Sequence, residues 1–296
     1  MQAGLVSVVI PAYNARDTIL DAVASVERQT YGKDRFEIIV VDDGSTDGTG
    51  EWVKSRYPNV RLAVLSNRGP SGARNHGISM ACGEFVAFLD ADDAWQENKI
   101  EYQIRMLRED PETGLVASDW IRGRDFPEPP PKVPVTWISY PEMLRLNRFQ
   151  TSTVLMRHAV LEQLEGFDSS VDGAEDWDLW LRTSVIARIA KLDWPFVMYR
   201  DVPSGYSKDV WRVYETMQPM LEKHRHTAPV SVKEFAEIEA WHHLRFSVAF
   251  FLMHDQGHAW KSLNIIKKSP RLWLPTMTAS AKYLIPFLWS RLRRRK

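Results

Sequence analysis

The sequence predicts an α/β fold in which a mainly parallel sheet is covered by helices on both faces. Short apolar runs rich in β-branched residues alternate with segments whose apolar residues have helical spacing. The apolar runs are nearly continuous, as in strands that are buried on both faces. Several of these runs end directly in polar, acidic turns. The carboxyl-terminal third has helical spacing throughout, which adds a helical extension to the α/β domain.

The predicted strands and helices alternate in order along the first 120 residues. Val6 to Ile10 is an apolar run closed by Pro11, and Val23 and Val26 then continue at helical spacing. The same unit repeats three more times before a last short strand. The predicted strands cover residues 6–10, 36–41, 60–65, 85–89 and 115–118, and the clearest helices cover 71–81 and 99–107.

Composition limits the kind of protein that this chain forms. Its 296 residues are 44% apolar and 26% charged, which suits a large globular domain with an appendage. The 38 basic residues balance 38 acidic ones, so no overall field attracts nucleic acid, and we expect no nucleic-acid partner. Cys82 is the single cysteine, which excludes an internal disulfide. The amino-terminal residues lack a secretory pattern, and we expect a cytoplasmic protein.

A cluster of carboxylates follows the fourth predicted strand, in the stretch FVAFLDADDAW. Asp90, Asp92 and Asp93 repel one another unless a cation or a set of donors compensates them. Asp90 and Asp92 are separated by one residue, so both can direct oxygens toward one Mg²⁺ or Mn²⁺ ion. The alternative is that these acids cap the next helix, which is predicted to begin near Trp95.

Two other polar turns are predicted at the same edge of the sheet. Residues 11–14 follow the first strand, and residues 42–47 follow the second. In open sheets, ligands collect beyond the carboxyl ends of the strands. The stretch GPSGARNHG adds Arg74 near a helix amino terminus, and its glycines let backbone amides approach an anion. The alternative is that Arg74 is an ordinary exposed arginine on the helix surface. A site with acidic and basic sides favours a metal-bound nucleotide diphosphate.

Together these segments resemble the family 2 glycosyltransferases, which have the nucleotide-sugar-binding GT-A fold. The matching stretches are VSVVIPAYNARDTILDAVASV, EIIVVDDGSTDGT, GPSGARNHGI, FVAFLDADDAW and GFDSSVDGAEDWDLWLRT, in the family's order. The resemblance implies a Rossmann-like GT-A catalytic domain over residues 1–205. Its nucleotide-binding half would cover 1–120 and its acceptor-binding half 121–205, followed by a helical region with an amphipathic basic tail over 206–296.

The resemblance also implies which residues bind the donor. The backbone around Pro11 and Ala12 and the carboxylates of Asp42 and Asp43 would hold the nucleobase and ribose. The sequence does not separate the roles of these two aspartates. Arg74 would assist donor binding.

The same resemblance implies a metal site in the acidic turn. Asp90 would lie against the ribose and the metal, and Asp92 would coordinate the Mn²⁺ or Mg²⁺ ion that bridges the diphosphate. Asp93 matches a third acid of the family and is expected to cap the following helix.

The stretch GAEDWDLWLRT supplies the expected catalytic base. Trp177, Trp180 and Leu181 share one face of a predicted helix, which leaves Glu175 and Asp176 in the first turn. The helix dipole favours acids there and would keep a carboxylate ionised, as a base requires. The alternative is a simple first-turn acid. In the family the second acid of this pair is the expected base, which here is Asp176.

Weaker patterns complete the predicted site. Arg200 or Lys208, in the stretch YRDVPSGYSK, would close on the diphosphate, or would be ordinary surface charges. Asp178 and Arg182 are at i, i+4 spacing and are expected to pair on the helix surface. The proline-rich residues 126–134 are expected to form a surface loop that borders the acceptor site.

The function implied is inverting transfer of a hexose from a nucleotide-diphosphate donor, a UDP-sugar, to a hydroxyl of a glycan or lipid-linked acceptor. In a single in-line displacement, Asp176 takes the acceptor proton while a divalent metal near Asp92 stabilises the departing diphosphate. The alternative is a glycan- or nucleotide-binding protein of the same fold that lacks turnover. Loss of a key acid would indicate that alternative, and all of the acids are present.

The carboxyl-terminal stretch predicts contact with a membrane surface. Pro275, Lys282 and Pro286 interrupt it, whereas a spanning helix needs about twenty mostly apolar residues. Aromatic residues followed by a basic cluster are typical of segments at anionic lipid surfaces. We expect peripheral association with the inner face of the cell membrane through residues 270–296, in polysaccharide biosynthesis. The alternative is a helix docked on the catalytic domain or on a second copy.

Overall fold

The computed structural model describes residues 1–123, 125–200 and 209–284. Within these residues the strands form one mixed sheet of nine strands. The predicted α/β class is confirmed. The strands are β1 (Gln2–Ala12), β2 (Phe36–Asp42), β3 (Arg61–Val64), β4 (Gly83–Phe88), β5 (Ala94–Trp95), β6 (Thr113–Ile121), β7 (Val135–Trp137), β8 (Leu155–Arg157) and β9 (Arg188–Met198).

The sheet has a parallel half and a mixed half. Its order is β3-β2-β1-β4-β8-β6-β9-β5, with β7 also paired to β9. The ladders among β3, β2, β1 and β4 and the ladder between β6 and β9 are parallel, whereas the shorter ladders of β5, β7 and β8 are antiparallel. Val8, Val9 and Ile10 in β1 are fully buried, as expected for a strand covered on both faces.

Eleven α-helices are present in the described residues, and the first four alternate with the parallel strands. Most present an apolar face to the sheet or to another helix. They are α1 (Ile19–Glu27), α2 (Thr49–Arg56), α3 (Gly69–Met80), α4 (Lys99–Glu109), α5 (Tyr140–Arg145), α6 (His158–Gln163), α7 (Glu175–Ile186), α8 (Val210–His224), α9 (Val232–Leu252), α10 (Gln256–Lys268) and α11 (Trp273–Ala279).

Helix α3 lies unusually close to the sheet because a glycine faces β1. A Cβ atom at Gly77 would lie 2.3 Å from Cγ1 of Val9, which is fully buried. Any side chain there would push the helix away from the strand. The glycine therefore lets α3 pack directly against β1, one of the strands that end at the predicted ligand edge.

Two predicted elements differ from the structure. No helix begins near Trp95, because Ala94 and Trp95 pair with β9 as a short strand and α4 begins only at Lys99. The stretch QTSTVLMR, residues 150–157, is predicted as a strand by its hydroxyl-bearing and apolar residues, but it forms a strand only over Leu155–Arg157, since Thr151–Thr153 is a 3₁₀ turn. At Trp95, long-range pairing overrides the local pattern.

The chain divides into two compact units. The first joins Met1–Ser139 to Asn147–Val202 and contains the whole sheet. The second joins Tyr140–Leu146 to Pro203–Lys296, so it contains α5 together with α8 to α11. The predicted boundary at residue 205 lies outside the described residues and stays a prediction. Among the residues that the structure describes, no helix combines the length and the apolar character that crossing a bilayer requires.

The second unit has its own core of aromatic and charged side chains. Glu239 is buried in α9 and accepts hydrogen bonds from Arg225 at 2.7 and 3.1 Å and from Arg271 at 3.0 Å. Burial raises the pKa of Glu239, but the nearby His243 ring and the hydrogen bonds from Arg225 outweigh burial and lower the pKa to about 2. The His243 ring also contacts α8, because its Nδ1 lies 2.8 Å from the Tyr214 hydroxyl. These contacts join α8 to α9.

Candidate active site

The carboxyl ends of three parallel strands lie side by side at one edge of the sheet. Ala12 at the end of β1 is level with Asp42 at the end of β2. Val9 pairs with Phe88, so the residues that follow β4 leave the sheet beside the end of β1. The polar turns after β1, β2 and β4 therefore meet at the same edge, as the sequence predicted.

Side chains join the first two turns. The backbone N–H of Asn14 donates to Oγ of Ser45 at 2.9 Å, and Oδ1 of Asn14 accepts from the N–H of Thr46 at 2.9 Å. Asn14 has a φ of 48°, a left-handed conformation that asparagine tolerates better than most residues. The adjacent Tyr13 is 55% exposed at this edge, and the sequence patterns did not single it out.

The structure separates the two aspartates that end β2. Both are buried. Asp42 stabilises its own turn, since Oδ1 accepts from the N–H of Ser45 at 2.8 Å. Asp43 holds the start of α3, because its two oxygens accept from the N–H groups of Arg68 and Gly69 at 2.7 and 2.8 Å. Their contact with a nucleoside stays a prediction, as does that of the half-buried Pro11 and the buried Ala12.

Arg74 on α3 is buried between two carboxylates. Its Nη2 lies 2.9 Å from Oδ1 of Asp90, and its Nη1 lies 2.8 Å from Oε1 of Glu175, which is 101 positions away in sequence. Burial lowers the pKa of Arg74, but the carboxylates of Asp90 and Glu175 outweigh burial and raise it above the usual range. Arg74 is therefore not an exposed helix arginine. Its terminal nitrogens bind the carboxylates of Asp90 and Glu175, and its contribution to donor binding stays a prediction.

The prediction that Asp93 caps the next helix is wrong. Asp93 lies six residues before α4 and is buried in contacts with distant segments. Its Oδ2 accepts from the hydroxyl of Ser152 at 2.6 Å, and its Oδ1 accepts from the N–H of Arg200 at 3.1 Å. Burial, followed by the Asp90 carboxylate, raises the pKa of Asp93 to about 8.

Ser152 is a site residue that the sequence patterns did not identify. Its hydroxyl oxygen accepts from the N–H of Asp90 at 3.0 Å while the hydroxyl proton goes to Asp93. Its carbonyl oxygen accepts from Nε1 of Trp95 at 2.8 Å. One serine thus fixes both ends of the acidic turn. The only signal in the sequence is a run of three hydroxyl residues, Thr151–Thr153, before an apolar strand.

The remaining acid of the turn is Asp92, the predicted ligand of a divalent cation. Asp92 is half-buried, and burial followed by the Asp90 carboxylate raises its pKa, which indicates negative charge that is not fully balanced. A hard cation beside Asp90 and Asp92 would balance it. The described part of the chain contains no group of three or more His, Cys, Asp or Glu residues that would hold a metal alone. Mg²⁺ needs only one or two carboxylates when substrate phosphates supply other ligands.

The adjacent acids at the start of α7 have different surroundings. Glu175 is buried, and both of its oxygens are bound, one to Arg74 and the other to the N–H of Gly173 at 2.6 Å. Asp176 is half-buried and accepts from Nδ2 of Asn147 at 3.2 Å and from the N–H of Trp177 at 2.5 Å. Asp176 therefore remains partly exposed, whereas both carboxylate oxygens of Glu175 are occupied by protein contacts.

The pKa of Asp176 moves in the direction opposite to the one expected from the helix dipole. Burial is the largest cause, and the neighbouring Glu175 carboxylate adds to it, so the pKa rises to about 7. Arg74 and the hydrogen bonds from Trp177 and Asn147 offset only part of this rise. A carboxylate with a pKa near neutrality is a stronger base than an ordinary aspartate and is still ionised at slightly alkaline pH.

Two weaker predictions have mixed outcomes. Asp178 and Arg182 do pair, at 2.7 Å, but not on the helix surface, because Asp178 is fully buried. Arg200 is exposed at the end of β9 and pairs with Asp21 at 3.0 Å, while its backbone N–H binds Asp93. Lys208 lies outside the described residues.

The sequence matches a known family and several named relatives. Residues 7–161 match the profile of the family described as Glycosyl transferase family 2. The UDP-Glc:alpha-D-GlcNAc-diphosphoundecaprenol beta-1,3-glucosyltransferases WfgD and WfaP of Escherichia coli are 42% identical over 106 residues and 33% identical over 185 residues. The matches cover 35% and 60% of this chain and 41% and 69% of those relatives. The amylovoran biosynthesis glycosyltransferase AmsB of Erwinia amylovora is 33% identical, with 68% of each chain covered.

Solved structures show the same fold at low sequence identity. Residues 1–349 of S. aureus TarS in complex with UDP-GlcNAc superpose with a TM-score of 0.68 and 23% identity, covering 88% of this chain and 79% of the 1–349 chain. The mannosyltransferase PcManGT of Pyrobaculum calidifontis, in complex with GDP-Man and Mn²⁺, gives a TM-score of 0.63 at 22% identity, covering 98% and 84%. At this identity the likeness concerns the fold alone.

Replacing Arg74 by glutamine should destabilise the fold strongly, because Asp90 and Glu175 would then face each other without a cation. Breaking a buried ion pair by removing one partner costs about 3–5 kcal/mol. The change is measured as the free energy of unfolding in urea. Arg61→Gln is the control, since Arg61 pairs with Glu37 at 2.6 Å but its side chain is 42% exposed; we expect a loss of about 0–1 kcal/mol there. Equal losses in both variants would contradict this account of Arg74.

Proposed function

Because the chain belongs to glycosyl transferase family 2, we propose that it transfers a hexose from a UDP-sugar to a hydroxyl of a lipid-linked glycan, with inversion at the anomeric carbon. The chain is a glycosyltransferase of the GT-A fold. One observation carries the finer proposal: Arg74 contacts both Asp90 in the acidic turn and Glu175, the neighbour of Asp176. A diphosphate held at the acidic turn would therefore lie near the proposed base.

The donor is proposed to bind at the edge where β1, β2 and β4 end. The backbone at Pro11 and Ala12 and the carboxylates of Asp42 and Asp43 would contact the nucleobase and ribose. The hydrogen bonds that fix Asp42 and Asp43 hold these groups in place before a ligand arrives, which lowers the entropy lost on binding. The complex of TarS with UDP-GlcNAc supports a uridine diphosphate donor.

Asp90 and Asp92 are proposed to hold a Mn²⁺ or Mg²⁺ ion together with the diphosphate. When bound, such an ion offsets the negative charge that builds on the departing nucleoside diphosphate. The described residues supply the two carboxylates, and Ser152 fixes the turn that carries them. The complex of PcManGT with GDP-Man and Mn²⁺ supports this choice of ions.

Asp176 is proposed to act as the base. The acceptor hydroxyl gives its proton to the carboxylate as the oxygen attacks the anomeric carbon from the side opposite the diphosphate, which inverts that carbon. The C–O bond to the diphosphate breaks in the same step, and its electron pair leaves with the phosphate. Glu175 is excluded from this role by its bonds to Arg74 and Gly173.

The acceptor is proposed to be lipid-linked, in the synthesis of a surface polysaccharide, with the enzyme on the cytoplasmic face of the membrane. WfgD and WfaP are named for a diphosphoundecaprenol acceptor. Association through residues 270–296 would place the enzyme beside such a lipid; residues 285–296 of that segment lie outside the described part of the chain.

The proposal is tested by assaying transfer from UDP-Glc, UDP-GlcNAc and GDP-Man to a synthetic α-GlcNAc-diphospholipid. We expect transfer from a UDP-sugar, with NMR of the product showing the inverted linkage. Retention of configuration, or transfer only from GDP-Man, would contradict the proposal. Binding of donor without transfer or hydrolysis for any acceptor would favour the non-catalytic alternative.

Asp176→Asn should lower the transfer rate by about 10² to 10⁴-fold, because general-base catalysis typically contributes that much. Donor affinity, measured by titration calorimetry, should be unchanged. In the unaltered enzyme, kcat/KM should rise with pH around a midpoint near 7, because Asp176 accepts a proton only when it is ionised, above its raised pKa.

Asp34→Asn is a matched control for this variant, since Asp34 is exposed in the turn at the amino end of β2, away from the site. It should leave the rate unchanged. A full transfer rate for Asp176→Asn, or an acid limb near the ordinary aspartate pKa of about 4, would refute the base assignment.

Asp92→Ala should abolish the gain in donor affinity that Mn²⁺ provides, because one of the two carboxylate ligands is lost. Titration of a UDP-sugar into each protein with and without Mn²⁺ measures the effect. Weak donor binding without the metal should survive in the variant. If Mn²⁺ strengthened donor binding equally in both proteins, the metal would have to bind elsewhere.

A further inference from the structure

The second unit exposes large apolar side chains where α9 ends and α10 begins. Phe251, Leu252 and Met253 are 65%, 56% and 57% exposed, and Trp260 is 64% exposed. A groove of about 450 Å³ runs between the two helices at this place. We call these four residues and the groove the α9–α10 tip. The groove is lined mainly by apolar side chains, among them Leu244, Val248, Phe251, Leu252, Trp260 and Leu263.

Exposure on this scale indicates an interaction site. Single exposed apolar residues are ordinary on protein surfaces, but a contiguous patch usually marks an interaction site. Helix α11 adds Trp273, Leu274 and Met277, which are 58%, 69% and 72% exposed and whose spacing places them on one side of that helix.

The charge around these residues has one sign. Residues 251–284 contain five Lys or Arg residues and one acid, Asp255, whereas the chain as a whole carries no net charge. Arg271 and Lys282 are paired with carboxylates of α9. Lys261, Lys267 and Lys268 are exposed, and they make no ion pair within the described residues.

We propose that the α9–α10 tip inserts into an anionic lipid bilayer, with Lys261, Lys267 and Lys268 against the lipid phosphates. Aromatic and aliphatic side chains with adjacent lysines are the chemistry that binds to the interface of such a membrane. The inference rests on the proposed function, because a lipid-linked acceptor gives the enzyme a reason to bind a membrane. It differs from the contact proposed for residues 270–296, because the apolar anchors are residues 251–253 and Trp260.

Charge argues against a second copy of the chain as the occupant. In a symmetric dimer the same patch faces itself, so the lysines of one copy would approach those of the other. Like charges across an interface oppose association. An anionic bilayer instead complements both the apolar side chains and the lysines.

The test measures binding of the full-length protein to sedimented vesicles, either phosphatidylglycerol-rich or pure phosphatidylcholine. We expect binding to the anionic vesicles and little to the neutral ones. Phe251→Asp should lower the partition coefficient about tenfold or more, because a charge replaces one large apolar side chain that would be buried in the bilayer. The substitution is at an exposed position, so the fold should persist, as circular dichroism and thermal unfolding would show.

Val232→Asp is the matched control. Val232 is 87% exposed at the first position of the same helix, about 28 Å from Phe251 at 1.5 Å per residue. It introduces the same charge, at a helix end that favours an acid. We expect its vesicle binding to equal that of the unaltered protein.

Three results would overturn the proposal: equal binding by Phe251→Asp and the unaltered protein, equal loss in Val232→Asp, or light scattering that shows a dimer dissociated by Phe251→Asp. The last would make a second copy the occupant. Calorimetry with a UDP-sugar in the absence of vesicles separates this inference from the proposed function. Failure to bind any nucleotide sugar would count against the proposed function and leave the vesicle result standing.

Discussion

The candidate site depends on one buried cation. The guanidinium of Arg74 contacts Asp90 and Glu175, so α3, the acidic turn after β4 and the first turn of α7 must assemble together. An unpaired charge at this depth costs several kcal/mol, and none of the three groups is satisfied without the others. Gly77 contributes by letting α3 approach β1 closely. The ion triad thus fixes the proposed metal turn relative to the proposed base.

A second buried network supports the acidic turn from the opposite side. Ser152 joins Asp90 to Asp93, and its carbonyl oxygen binds Trp95. The fully buried Nζ of Lys99 lies 4.1 Å from the centre of the Trp95 ring and donates to Gln103 at 2.8 Å, and burial lowers the pKa of Lys99 well below its usual value. Asp93, whose pKa is raised, belongs to this network. The hydrogen bonds of the network hold the acidic turn without using the carboxylate of Asp92. Asp92, the proposed metal ligand, thereby remains available.

Local patterns were sufficient for most of the fold and for the types of residue in the site. Apolar periodicity located the parallel strands, and the placement of acids after strands predicted the edge at which the polar turns meet, because both follow from neighbours in sequence. Contacts between distant residues were not accessible in this way. The burial of Arg74 depends on Glu175, 101 positions away, and the role of Asp93 depends on Ser152, 59 positions away. The prediction from the helix dipole gave the wrong direction for the pKa of Asp176 for the same reason, since burial and the Glu175 carboxylate outweigh the dipole.

The pair Glu175 and Asp176 shows how adjacent identical charges acquire different tasks. Successive helical residues point about 100° apart, so when Glu175 faces Arg74, Asp176 must face another direction. The bonds of Glu175 to Arg74 and Gly173 fix the first turn of α7 without using the Asp176 carboxylate. The fixed negative charge of the first acid then favours the protonated form of the second. Glu175 therefore does two things for the proposed base: it fixes the helix turn that carries Asp176, and it raises the pKa of Asp176. A single acid at this helix start could serve as the anchor or as the base, but not as both.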